Sequence, residues 1–317
     1  MLKQTIRAAQ RHMRVSDPSL PQKSRALVIR FALWHLMLSA IVSLPVNAHE
    51  YWLDPVGTRW AVGEGLSVDI RNGEDFVGIA LPFDPNRLQR GELISPTNRQ
   101  RLRGRLGDYP AIQFTLEEPG LHAVLFDTTR RELKYDDPDA FENFLNYHAF
   151  TDVLARHRQH GLAEAIIVEH YYRYSKALVT VSPDELAVKT QSSAHETPSA
   201  VPSYSNAENI TSALQAQGQR LEIIPLSNPI GADTLQVQLQ FENEPLAERQ
   251  IELFYRNTKQ QSTRHTVRSD VNGRATFNVS ADGDYLINSV TLLEPDQRQN
   301  VEWISLWTTL FFQQSNQ

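Results

Sequence analysis

The chain has 317 residues, with 31 Lys and Arg against 37 Asp and Glu for a net charge of −6, an ordinary 41% of apolar residues and no cysteine. Without thiols, disulfides and thiolate zinc sites are excluded, so a metal could be held only by histidine, carboxylate, backbone or amine groups. The acidic balance argues against nucleic acid or anionic lipid as a partner.

The charge is unevenly placed. Seven bases (Lys3, Arg7, Arg11, Arg14, Lys23, Arg25 and Arg30) but one acid, Asp17, fall within residues 1–48. An apolar run, FALWHLMLSAIVSL at 31–44, follows Arg30 and ends at Pro45. It has the length of a signal-peptide core and is short for a membrane span. Val46 and Ala48 are the small residues expected before a cleavage site. Residues 1–48 are therefore expected to be a signal peptide cut after Ala48, with a periplasmic product. An uncleaved anchor is the alternative, and Met13 an alternative start. Removing this segment leaves 24 bases and 36 acids, a net charge of −12, and makes His49 the first residue.

Residues 49–126 read as short strands. Leu66, Val68 and Ile70 alternate before Asn72-Gly73, a turn signal. Ala111–Leu116 alternates as well, and Glu118-Pro119-Gly120 turns into LHAVLF, where Leu121, Ala123 and Leu125 share one face and His122, Val124 and Phe126 the other. The period then changes. Phe141, Phe144, Leu145, Val153 and Leu154 fall at helical spacing over 138–160, with Asp137 as N-cap, Pro138 in the first turn and Gly161 as the stop. A second helix is expected over about 163–174, running into the strand ALVTV at 177–181. Residues 184–217, rich in Ser, Ala, Gln, Pro and Asn, read as a flexible linker.

Six strand candidates follow: RLEIIPL, TLQVQLQF, RQIELFY, ATFNV, DYLINSVTLL and WISLWTTLFF. Their spacing is that of a sandwich, and Asn272-Gly273 is expected as a hairpin turn. The fold expected is mainly β: two β-sandwich domains, 49–183 and 218–313, with a helical segment about 138–175 at the end of the first.

The chemistry-bearing residues are few. A terminal His49 would offer an amine and an imidazole nitrogen to one divalent transition metal. His122, fixed in a strand, is the candidate second ligand, or else a partly buried, hydrogen-bonded histidine. His148, His157 and His160 are expected on one helix, with His157 and His160 on a shared, solvated face. Glu169, Arg173 and Lys176, at i, i+4 and i+7, read as a structural group on a helical face. Trp52, Trp60, Trp303 and Trp307 read as core. No P-loop, GxSxG, HExxH or dinucleotide fingerprint is present.

Several stretches together resemble the DUF4198 family of exported bacterial proteins. They are His49-Glu50-Tyr51-Trp52-Leu53, RNGEDF (71–76), PGLHAV (119–124), EHYYRYSKALV (169–179), RLEIIPLSNP (220–229), SDVNGRATF (269–277) and WISLWTTLFF (303–312). The resemblance implies Ig-like or prealbumin-like sandwiches and a periplasmic role in nickel or cobalt uptake beside a membrane transporter, with His49 as a ligand. This chain has Thr291 where members of that family often carry a histidine. The leading expectation is a non-enzymatic binder of a divalent transition metal, nickel or cobalt before copper, through His49 and His122. The rivals are a copper histidine-brace oxidative enzyme built on the same two residues and a structural or interaction module without metal.

Overall fold

The computed structural model describes residues 50–162, 166–183, 211–296 and 301–314. In the first half the strands are β1 (Glu50–Pro55), β2 (Trp60–Ala61), β3 (Gly65–Glu74), β4 (Val77–Leu81), β5 (Leu88–Ile94), β6 (Arg99–Arg101), β7 (Ile112–Thr115), β8 (Gly120–Thr128) and β9 (Arg131–Tyr135). Two helices, α1 (Pro138–Tyr147) and α2 (Thr151–Gln159), precede the long strand β10 (Ile167–Ser182). After the short helix α3 (Thr211–Leu214) come β11 (Leu221–Pro225), β12 (Thr234–Phe241), β13 (Glu244–Pro245), β14 (Gln250–Asn257), β15 (Ser262–Arg268), β16 (Arg274–Asn278), β17 (Gly283–Leu293) and β18 (Trp303–Gln314).

The chain is mainly β, and its two halves meet in one central sheet. That sheet has ten strands in the order β15-β14-β17-β18-β10-β8-β5-β6, with β2 and β9 also on β10. β10 and β18 run parallel, from Glu169↔Trp303 to Ala177↔Phe311. Two four-stranded sheets complete the fold, β1-β3-β4 with β7 on β3, and β11-β12-β13 with β16 on β12. All described residues lie in one compact unit, Val46–Gln317. The linker expected at 184–217 falls mostly outside the described residues.

Side-chain alternation sorts the central sheet into two covered faces. Val124, Phe126, Ala177, Val179, Phe254 and Phe311 pack with Trp52, Leu53, Leu66 and Val68 of the β1-β3 sheet. Their sequence neighbours Leu121, Leu125, Leu178, Leu253 and Leu310 point the other way, against Leu221, Ile223, Val237 and Leu239 of the β11-β12 sheet. The rest of the first face is covered by α1 and α2, whose Phe141, Phe144, Leu145 and Phe150 meet Trp303 and Trp307. Trp52, Trp60, Trp303 and Trp307 are all buried, as expected.

Four expectations are corrected. The helix expected at 163–174 is strand: β10 covers Ile167–Ser182 and is buried on both faces for most of its length, which erases the alternation that marks a strand. Glu169 and Arg173 therefore share a face, and Lys176 lies on the opposite one. The single helix expected over 138–160 is two. Asp137 caps the first as expected, accepting from the Asp139 N–H at 3.0 Å. Ala149, at φ 55°, then breaks the run and Phe150 turns into the core.

Asn72-Gly73 lies inside β3, and the hairpin to β4 turns at Asp75-Phe76, both at positive φ. Glycine is required at 73 for another reason: a Cβ there would sit 2.1 Å from the Val77 carbonyl oxygen. Asn272-Gly273 does form a turn, but it carries the chain from β15 in the central sheet to β16 in the β11-β12 sheet, so no hairpin is made. β15, mostly exposed at the edge beside β14, was not among the expected strands.

Lys176 joins two layers. Its ammonium, almost wholly buried, donates to Glu222 Oε1 at 2.7 Å and to the Ile223 carbonyl at 3.2 Å. Glu222 also accepts from the backbone N–H groups of Gln217, Gly218 and Gln219. Removing one partner leaves a buried charge, whereas removing both does not. Lys176→Met should cost about 3–5 kcal/mol of unfolding free energy in urea, and Lys176→Met with Glu222→Leu should recover much of that loss. Additive losses would show that the pair is not what joins the layers.

Candidate metal centre at the start of the first strand

Where β1 meets the end of α1 over the central sheet, the buried surface turns polar. Glu252 of β14 is the hub. Its Oε1 accepts from Arg264 at 2.6 Å and Gln250 at 2.9 Å, and is 3.0 Å from His148 Nδ1. Its Oε2 accepts from Asn288 Nδ2 at 2.7 Å. Burial alone would raise this carboxyl, but His148, Arg264 and Asn288 outweigh it and hold the pKa near 2. Alternation explains the convergence. Glu252, Arg264 and Asn288, on β14, β15 and β17, point to the same face, and His148 closes the end of α1 above them. The Arg264 guanidinium lies 3.8 Å from the centre of the Tyr147 ring.

Glu50, the first residue of β1, is 2% exposed. Burial, and next the charge of Glu252, raise its carboxyl from 4.5 to about 8. Among the described residues no donor reaches Glu50 Oε2, and Asn288 Oδ1 is buried without a partner as well. Each of these buried oxygens carries a desolvation cost that no partner among the described residues offsets. A second polar group lies further along this face. Tyr135 donates to Glu169 Oε2 at 2.8 Å, and Ser305 donates to Oε1 of the same carboxylate. The Arg173 guanidinium lies over the rings of Tyr51, Tyr171 and Trp307, 5.1–5.4 Å from their centres.

His49 lies outside the described residues; its neighbour Glu50 fixes where β1 begins. His122 is fully buried on β8, with Nδ1 3.1 Å from the Gly120 carbonyl, and burial lowers its pKa. It is not beside Glu252. β8 and β14 are four strand steps apart, about 19 Å at ordinary strand spacing.

His157 is buried, against the expectation of a solvated face shared with His160, which is exposed; His148 is buried as well. His157 packs against Phe141 with the rings tilted by 51° and accepts from Trp303 Nε1 at 3.3 Å. Thr291 is buried on β17, and by alternation its side chain faces away from Asn288, so a histidine there would not reach this seam. Among the described residues no group of three or more His, Cys, Asp and Glu stands at metal-ligand spacing. Glu252 and Asn288 were not foreseen; the available signal was a carboxylate directly after His49.

The fold and this seam define a mainly β protein with a buried acidic site at the start of its first strand. The chain belongs to the DUF4198 family, a domain of unknown function, which matches residues 46–292. Among curated proteins none matches. A tetra-tandem repeat from the extending region of a large adhesion protein is 10% identical, with a TM-score of 0.20; the match covers 84% of this chain and about half, 49%, of that one. The D0-D1 domain of Intimin is 9% identical with a TM-score of 0.19, over 83% of this chain and 97% of that one. Likenesses at this level carry no argument about fold or function.

The raised Glu50 pKa has a definite sign in stability. The unfolded carboxyl ionises near 4.5 and the folded one near 8, so folding is penalised increasingly between those pH values and by a constant amount above. Glu50→Gln should be more stable than the parent by about 3–5 kcal/mol at pH 9 in chelator, and equal to it at pH 4. Urea unfolding at the two pH values measures this, and a pH-independent difference would contradict the assignment.

Proposed function

We propose that the protein is exported to the periplasm, cut after Ala48, and binds one divalent transition metal ion through the amine and imidazole of His49. Nickel or cobalt is favoured over copper. In this reading the protein is a carrier that delivers the ion to a membrane transporter, not an enzyme. The observation that carries the proposal is the buried Oε2 of Glu50, which has no partner among the described residues and lies one peptide unit from His49. A terminal amine, an imidazole and a carboxylate form a mixed nitrogen and oxygen set suited to these ions. Asn288 Oδ1 is a further acceptor in the same seam.

His122 is left out of this proposal because it lies four strand steps from Glu252, and the copper brace, which would need both histidines on one ion, is the less favoured reading for the same reason. The finer architecture, with each face of the central sheet forming an Ig-like or prealbumin-like sandwich, also belongs to this proposal.

The test separates the terminal amine from the ring. Nickel is titrated by calorimetry into the chain beginning at His49, the same chain extended by Ala48, and the variants His49→Ala, Glu50→Gln and His122→Ala. The chain beginning at His49 should take up one ion. The Ala48 extension and His49→Ala should each weaken binding by at least about tenfold, the loss of one good ligand interaction. Glu50→Gln should weaken it less, and His122→Ala should leave it unchanged. Equal affinity with and without Ala48 would rule out the terminal amine as a ligand.

A further inference from the structure

On the far side of β10 from β8, a cleft of about 1000 Å³ opens at the end of the central sheet. It arises from a break in strand pairing. β18 pairs with β10 as far as Ala177↔Phe311, then continues with β17 alone to Gln314. β2 takes up that edge of β10 only at Val181. Between them Leu178, Val179 and Thr180 have no strand on this edge among the described residues, although β8 holds their other edge.

The walls are polar with balanced charge. Asp284 is matched by Arg256, whose Nη2 lies 2.8 Å from it. The charged groups of the lining itself are Arg59, Asp282 and Asp284, so the balance is completed by Arg256 behind Asp284. Most of the remaining polar lining is amide and hydroxyl, including Asn228, Gln260, Thr180 and Ser182, with Trp60 of β2 alongside. Gln313 is fixed in orientation because its Nε2 donates to Asp284 Oδ1 at 3.1 Å. Its Oε1 is buried and has no partner among the described residues. That oxygen is shielded from the cleft, so a ligand there would be met by the exposed amides and hydroxyls of the lining and by the open strand edge.

We propose that this cleft binds a neutral polyhydroxylated ligand, a short oligosaccharide. Each sugar hydroxyl both donates and accepts, so it can satisfy amide oxygens, amide N–H groups and the unpaired strand edge in turn. The volume is at the upper end for small-ligand pockets, which a single small metabolite would not fill. An ionic ligand is disfavoured because the formal charges cancel. An added peptide strand is disfavoured because the open edge is three residues long, well short of the usual five or six.

The proposal is independent of metal, so the test is run in chelator. The full exported chain is titrated by calorimetry with maltotriose, cellotriose and chitotriose. At least one should bind. Thr180→Val, at an exposed lining position on the open edge, should weaken it about threefold, as expected when one hydroxyl contact is lost. Gln260→Ala, at an exposed position, should weaken it about threefold without changing the melting temperature. No heat with any of the three sugars at millimolar concentration would overturn the proposal. So would binding that is unaltered in both variants, or a decapeptide of alternating Val and Thr binding more tightly than every sugar.

Discussion

The structure depends on a strand that must place charge in the interior on both sides. β10 occupies the middle of the central sheet and is covered by a layer on each face. Its buried polar residues cannot reach water, so each must find partners in whatever layer it meets. On one face Lys176 finds Glu222 and the Ile223 carbonyl. On the other, Glu169 finds Tyr135 and Ser305, while Arg173 lies among three aromatic rings. These partners come from β9, β11 and β18, so satisfying one strand fixes the relative placement of elements far apart in the chain. Buried polar networks of this kind add little net stability but penalise every other packing of the layers.

The acidic seam at β1 belongs to the same face, with one difference. Glu252 is fully provided with donors, whereas Glu50 beside it is not. Two neighbouring buried carboxylates, one strongly ionised and one held protonated, divide a single environment between opposite proton affinities. An approaching cation would be met by a site already poised to exchange a proton for it.

Much of the fold was legible in the sequence wherever one face of a strand is wet or the partner is local. The alternation of LHAVLF assigned both faces of β8 correctly, and TLQVQLQF and ATFNV were found for the same reason. β10 failed because a strand buried on both sides has no alternation, and its Glu169, Arg173 and Lys176 fall at a spacing that imitates a helix. β15 failed for the opposite reason, being nearly all polar at an exposed edge. Asn72-Gly73 misled because a glycine needed for close approach between strands looks the same as one needed for a turn. The site was legible only at its first residues. Glu252 and Asn288 lie some 200 residues beyond Glu50, and nothing local distinguishes them from ordinary strand polars. His122 drew attention as a histidine in a strand, but one-dimensional spacing could not show that it lies four strands from Glu252.

The parallel pairing of β10 with β18 also orders events in time. β18 is the last of the described strands, yet it lies in the middle of the sheet, between β10 and β17. Until its residues have left the ribosome, the strands of the first half and those of the second have no edge in common in the central sheet. The contact order is correspondingly high, and high contact order slows folding. The two halves of the central sheet therefore cannot join until β18 has been made, so closing this sheet is a late step in folding, set by one strand rather than by either half.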